Sequence, residues 1–181
     1  WTVRVTPNDG YVDGEAVDAS ITISNSEPEI TNVGITPSTS IYNDSILTCE
    51  ATVSDADEEL VPTYEWTVGS DTYSGATLDL STTSAMPTDT VTCTATVEDS
   101  NGGSASLSTD VSVENRAPVV SGTVIDPALV YTNTTVTCDA SVSDADGETL
   151  TATYEWFAGT TSIGSGASLT LDSSLLHHGD F

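Results

Sequence analysis

Two stretches of this chain are versions of one sequence, and that repetition limits the fold more than any other feature. Residues 45–80 read SILTCEATVSDADEELVPTYEWTVGSDTYSGATLDL, and residues 134–171 read TTVTCDASVSDADGETLTATYEWFAGTTSIGSGASLTL. Aligned, they pair Cys49 with Cys138, Tyr64 with Tyr154, Trp66 with Trp156 and Gly75 with Gly166, at a period of about 90 residues. A unit of that size can bury a sufficient core by itself, so the sequence predicts tandem small domains.

Following the repeat outward sets the expected boundaries. The first copy closes with TVTCTATVEDSNGGSASLSTDVSVEN, residues 90–115. The opening segment TVRVTPNDGYVDGEAVDASITISN, residues 2–25, is of the same kind, with Val3 where Cys93 stands. The expected organisation is therefore the last two strands of a preceding unit over 1–25, a complete unit over 26–115, and a unit lacking its last strands over 116–181. Such a chain reads as a window on a longer array.

Leu47, Cys49, Ala51 and Val53 alternate with Thr48, Glu50, Thr52 and Ser54; Val91, Cys93, Ala95 and Val97 alternate with Thr92, Thr94, Thr96 and Glu98. Period-two alternation is the pattern of a half-buried strand, and Thr and Val suit a pleated surface. Each cysteine falls on the inward parity of its strand, as does Trp66 with Tyr64 and Val68. Two inward cysteines on facing sheets with a Trp against them make the core frame of an immunoglobulin-like sandwich. Cys138, beside Trp156, has no partner in view, and laying the repeat over it puts the missing cysteine about three residues past Phe181. Paired cysteines point to an oxidising compartment.

The Cys49, Trp66, Cys93 spacing, the YEW followed by Gly69, and the DADG of residues 144–147 resemble the bacterial immunoglobulin-like, PKD-like and cadherin-like repeats of very large surface proteins. The resemblance covers essentially the whole chain. It implies an all-β fold of tandem sandwiches at the cell surface or outside the cell. Val91 stands where antibody-type domains carry a Tyr two residues before the second Cys, which favours a bacterial surface repeat over the animal immune type.

Against 28 acidic residues the chain sets Arg4 and Arg116, for a net charge of −26. That field repels phosphate backbones and anionic membranes and attracts cations, so nucleic acid is excluded as a partner. Two readings of the acidity stay open: solubility in a salty medium, where charge is screened over roughly 8 Å, and a specific cation role. No stretch approaches the ~20 apolar residues of a membrane helix, and no signal peptide is visible; neither fact argues for the cytoplasm.

The acidity concentrates between the first cysteine strand and the Trp strand: Asp55, Asp57, Glu58 and Glu59 in one copy, Asp144, Asp146 and Glu148 in the other. Calcium takes roughly six to eight hard oxygen ligands, and alternate carboxylates on a short loop supply several. In an immunoglobulin-like topology this loop shares a pole with Asp99, Asn101 and Gly102, a trio echoed by Asn8, Asp9 and Gly10. The linkers reach the same pole: Asn25, Ser26, Glu27 and Pro28 at one junction, Asn115, Arg116, Ala117 and Pro118 at the next. An ion held by Asp55, Asp57, Asp99 and a linker oxygen locks one domain to its neighbour, similar to the stiffening of cadherin-like arrays by calcium. The competing reading is that Asp, Asn and Gly simply make good turns. At the second junction Arg116 can replace the ion by pairing with Asp144 or Asp146.

Asn43-Asp44-Ser45 and Asn133-Thr134-Thr135 match the N-glycosylation pattern. His177, His178 and Asp180 are read as solvated loop residues and not as metal ligands, because adjacent histidines do not share a strand face. No Ser sits on a nucleophile elbow and no histidine lies in the complete unit, so no catalytic activity is expected. The sequence points to a stalk, fibre or adhesin shaft, with Pro28 and Pro118 in short linkers favouring a semi-rigid rod. Its partners are then neighbouring repeats and other copies in a fibre. A glycan- or protein-binding module is one alternative, with Tyr42, Tyr131 and Tyr73 as its aromatic platform. A second is a filament subunit that uses head-to-tail strand complementation.

Overall fold

Alternating Val and Thr runs become antiparallel strands throughout the computed structural model, which describes residues 1–174. His177, His178 and Asp180 lie outside the described residues. Strands β1 (Thr2–Val5) and β2 (Val17–Ser20) form a hairpin. Next come β3 (Glu29–Thr36), β4 (Ile46–Ser54), β5 (Thr63–Val68), β6 (Asp71–Ser74), β7 (Thr77–Asp79), β8 (Thr90–Glu98) and β9 (Ser104–Ser112). They build a three-stranded sheet in the order β3-β4-β7 and a four-stranded sheet in the order β6-β5-β8-β9. The second copy gives β10 (Val119–Asp126), β11 (Thr135–Ser143), β12 (Glu155–Ala158), β13 (Thr161–Ser165) and β14 (Ser168–Thr170), paired as β10-β11-β14 and β12-β13. Among the described residues the one helical element is a 3-10 turn, Leu80–Thr82, and no helix is long and apolar enough to cross a membrane.

The two sheets of the first copy close on each other in a sandwich-like arrangement, with the inward parity of every strand in the core. Leu47, Cys49, Val91, Cys93, Ala95 and Val97 are buried, and Trp66 is wholly so. Cys49 on β4 and Cys93 on β8 are joined by a disulfide that ties one sheet to the other, which points to a compartment outside the reducing cytosol. Trp66 lies in register with Cys93 and donates its indole N–H to the Gly75 carbonyl at 2.8 Å, so a large apolar ring is buried without leaving a polar atom unpaired. Gly75 has φ +118°, a conformation open to glycine and strained for any other residue. Across the core, the Tyr64 hydroxyl accepts the Ala51 N–H at 3.1 Å.

The second copy repeats these bonds. Trp156 donates to the Gly166 carbonyl at 2.8 Å. Cys138 N–H donates to Ala167 as Cys49 N–H does to Ala76, both at 2.8 Å. Ile125 is in register with Cys138 as Ile35 is with Cys49. What differs is burial. Among the described residues nothing stands beside β12 in the place that β8 and β9 take beside β5. Accordingly Val120 is 61% exposed against 9% for its counterpart Ile30, and Trp156 is half-buried. Cys138 is a free thiol.

Replacing both bonded cysteines, Cys49→Ala with Cys93→Ala, is expected to lower the unfolding free energy of this unit by about 4 kcal/mol, the chain-entropy value for a separation of 44 residues. Urea unfolding followed by Trp66 fluorescence checks it, with Trp1→Phe and Trp156→Phe silencing the other tryptophans.

Candidate functional site

Both linkers end on the acidic loop of the unit they lead into, and the same backbone contact is made each time. Asp55 Oδ1 accepts the Asp57 N–H at 2.7 Å, and Asp144 Oδ1 accepts the Asp146 N–H at 2.7 Å. These tight turns present the second aspartate of each DAD sequence to the incoming chain. Asp57 Oδ2 then accepts the Ser26 N–H at 2.6 Å, and Asp146 Oδ2 accepts the Arg116 N–H at 2.5 Å.

At the second junction the Asp146 side chain is fully buried, and a buried carboxylate must be paired and hydrogen-bonded. Arg116 supplies the charge, with Nε 2.8 Å from Asp146 Oδ1. The rest of the guanidinium fork spans to the turn before β4: Nη1 donates to Asp44 Oδ2 at 3.0 Å and Nη2 to Asn43 Oδ1 at 3.1 Å. Its plane lies over the Tyr42 ring, 4.8 Å from the centroid, in reach of a cation–π interaction. Asn43 Nδ2 donates back to the Asp146 carbonyl at 2.6 Å. Five donors in a rigid fork make this possible, and a lysine could not reproduce it. Asp44 and then Asp146 hold the Arg116 guanidinium still further above its ordinary range, against burial.

The first junction has no arginine and uses amides instead. Asn25 Nδ2 donates to Asp99 Oδ2 at 2.8 Å, and Asn101 Nδ2 donates to Asn25 Oδ1 at 2.8 Å. Asp99 Oδ1 also takes the N–H groups of Asn101 and Gly103, both at 2.8 Å. A Cβ on Gly103 would come within 2.5 Å of Asp99 Oδ2, so this close approach requires glycine. Glu58 accepts the backbone N–H and the hydroxyl of Ser100, closing the β4–β5 loop onto the β8–β9 turn. The Asn25 amide, followed by these backbone donors, holds the buried Asp99 carboxyl below its usual range.

Asp57, Asp99 and Asn101 are thus brought to one junction with Asp55 in the same loop, while Asp144, Asp146 and Glu148 lie together at the other. Asp144, Asp146 and Glu148 each offer a carboxylate oxygen within 4.8 Å of the others. Glu148 Oε2 and Asp55 Oδ2 are buried without a hydrogen-bond partner. Burial pushes the Glu148 carboxyl above the usual range, and the neighbouring Asp144 and Asp146 push the same way. All are hard oxygen donors suited to calcium, yet both Asp146 oxygens are already engaged by Arg116. Asp55, Asp57 and Asp99 have no competing guanidinium, but among the described residues their carboxylates do not converge as those three do, and Asp57 and Asp99 already accept N–H groups.

Three residues read from sequence for other roles belong to the second junction or the core. Tyr42 is half-buried under Arg116, and the Asn43 amide nitrogen, the atom a glycan would join, is engaged by Asp146. Tyr73 packs against the core, whereas Asn133 and Tyr131 are exposed. The parts of the junctions not foreseen were Asn43 with Asp44, and the amide relay from Asn101 through Asn25 to Asp99. The available signal was positional: in an end-to-end array the turn before β4 meets the next unit's acidic loop.

Asp99 supplies a pH test. Its folded-state pKa lies below its unfolded one, so its stabilisation is fully present above the ordinary value of 3.8 and is lost as pH falls through the depressed value. Asp99→Asn is expected to lower the melting temperature at neutral pH and to flatten the loss of stability below pH 3.8, as thermal scans across an acid series will measure.

No family model, curated protein or solved structure matches the chain, so what it does is inferred from its own residues.

Proposed function

We propose that this chain is part of a non-catalytic extracellular array of immunoglobulin-like sandwiches, a stalk, fibre or adhesin shaft, whose junctions are fixed by carboxylates. The observation that carries this is the Arg116 bridge from the buried Asp146 to Asn43, Asp44 and Tyr42. A flexible tether has no use for a buried ion pair of that kind. Joining the linker and the loops of two successive units through one guanidinium sets the angle between them, which is what a rod needs and a string of independent beads does not. The −26 charge and the polar Thr- and Ser-rich outer strand faces suit a surface that stays soluble at high local concentration. Coverage of Tyr42 by Arg116 weighs against the aromatic platform of a glycan-binding module.

In this reading the first junction is the one that takes calcium. Asp55, Asp57 and Asp99 carry the carboxylates, and Ser26 stands where the other junction has Arg116. A cation there does what the guanidinium does at the second junction, so arginine-locked and ion-locked joints alternate in one chain.

Thermal unfolding in calcium, against magnesium at matched ionic strength, is expected to show a calcium-specific rise of several degrees, because a ligand stabilises the state that binds it. Asp57→Asn with Asp99→Asn should abolish that rise; an equal rise in magnesium assigns the acidity to solvation. Arg116→Ser places the first junction's residue at the second. It is expected to lower the melting temperature without calcium and to enlarge the calcium increment, and an unchanged increment defeats the equivalence of arginine and ion.

A further inference from the structure

Of the asparagines in this chain, only Asn101 is followed by a glycine, and it sits in the β8–β9 turn, at the junction that has no arginine. The turn is held by Asp99 Oδ1, which accepts the N–H groups of Asn101 and Gly103 at 2.8 Å. Gly102 between them is held far less. Its N–H meets the Asp99 carbonyl at 3.3 Å, longer than an ordinary N–H···O bond. Gly102 is exposed, has φ +91°, and a Cβ built on it would meet nothing within 4 Å. With no side chain in the way, the Gly102 nitrogen is open to the neighbouring Asn101 side chain and to solvent, and Asn101 is itself exposed.

The Asn101 amide also has a structural role that depends on its being an amide. A carboxylate only accepts hydrogen bonds, so Asp99 Oδ2 requires Asn25 to present its nitrogen, at 2.8 Å. That leaves Asn25 Oδ1 facing Asn101, which must then present its own nitrogen, also at 2.8 Å. The relay from Asn101 through Asn25 to Asp99 thus runs in one direction only. A carboxylate at residue 101 would reverse its first step. Either orientation of the Asn25 amide would then leave an oxygen facing a carboxylate, an unmade bond beside an uncompensated charge.

We propose that Asn101 is a site of spontaneous deamidation, and that its conversion to aspartate or isoaspartate loosens the first junction. The Gly102 backbone nitrogen gives up its proton to base and attacks Asn101 Cγ. The new N–Cγ bond closes a succinimide ring, the Cγ–Nδ2 bond breaks, and Nδ2 leaves as ammonia. Water then opens the ring at either carbonyl, restoring a normal backbone as aspartate or leaving one lengthened by a carbon as isoaspartate. The relay restrains the Asn101 side chain, so conversion proceeds slowly while the junction is closed. The second junction has no such site. Its residue before a glycine is Asp146, whose side chain is fully buried with both oxygens engaged by Arg116, and an ionised carboxylate offers no leaving group. One joint therefore ages and the other does not, and this holds with or without an ion at either.

The test incubates the whole chain in mildly alkaline buffer over weeks, with ion exchange to separate the more acidic product and peptide mass mapping with isoaspartate detection to locate it. Conversion is expected at Asn101, faster at higher pH, with Asn8, Asn25, Asn43 and Asn133 unchanged. Asn101→Gln keeps the amide but closes the corresponding ring far more slowly, and is expected to lose the acidic product. No conversion at Asn101, or conversion that persists in Asn101→Gln, overturns the site. Asn25→Ala frees the Asn101 amide and should speed conversion severalfold; an unchanged rate overturns the restraint by the relay. In the separated acidic product, hydrogen exchange at the Ser26 and Gly103 amides is expected to be roughly tenfold faster than in the parent, the loss of one hydrogen bond, with Arg116 N–H exchange unaltered. Equal exchange at Ser26 and Gly103 overturns the loosening of the junction.

Discussion

The Trp66 indole is fully buried and still donates its N–H to the Gly75 carbonyl at 2.8 Å, and much of the remaining structure follows from that bond. It fixes the turn between β6 and β7, because the carbonyl can be presented only if Gly75 takes a positive φ. That turn returns the chain to the other sheet, where β7 pairs with β4 beside Cys49. The ring itself lies in register with Cys93. One side chain thereby connects both sheets, the disulfide and the crossover between them. The same bond at Trp156 and Gly166 holds the second copy in shape even where its core is half open.

The strands and their parity were legible because a strand's side-chain period is two and this chain keeps strict Val and Thr alternation through β4 and β8. The Cys49–Cys93 bond was legible for the same reason: both cysteines carry the inward parity of adjoining runs. The acidic loops were visible as composition, but their geometry was not. Whether Arg116 takes Asp144 or Asp146 depends on the Asx turn that aims Asp146 at the linker N–H. The contributions of Asn43 and Asp44 were hidden because they cross between units 72 or more positions apart in sequence, and local pattern carries no information at that range. Asn43 matched a modification motif and Tyr42 an aromatic platform, while their actual partners lie in the next unit.

The open second copy shows how much of the core the last two strands supply. Ile35 and Ile125 hold the same register against their cysteines, yet one is 7% and the other 57% exposed. Matching strand register therefore does not by itself bring burial. Backbone pairing within β10, β11 and β14 satisfies that sheet's own register, while its apolar face stays exposed among the described residues. Burial of such a face against a full second sheet is where most of a sandwich's hydrophobic stabilisation comes from.

The chain's two arginines show how burial decides what an ion pair does. Arg4 makes a bidentate pair with Asp18, 2.7 and 2.8 Å, across the β1–β2 hairpin. With 70% and 43% of the two side chains exposed, that pair is screened by water and salt and holds little. Arg116 has 28% of its side chain exposed and Asp146 none. Desolvating Asp146 is costly, so the carboxylate imposes a strict requirement on whatever stands at residue 116, and the guanidinium meets it while reaching a second unit. At the first junction no cation side chain is present. Asp57 accepts the Ser26 backbone N–H there, and Asp99 accepts the Asn25 side-chain amide with the backbone N–H groups of Asn101 and Gly103, neutral donors that leave their charge uncompensated. In a chain with 28 acidic and two basic residues, that imbalance is what supports the proposal of an ion at one joint beside an arginine at the other.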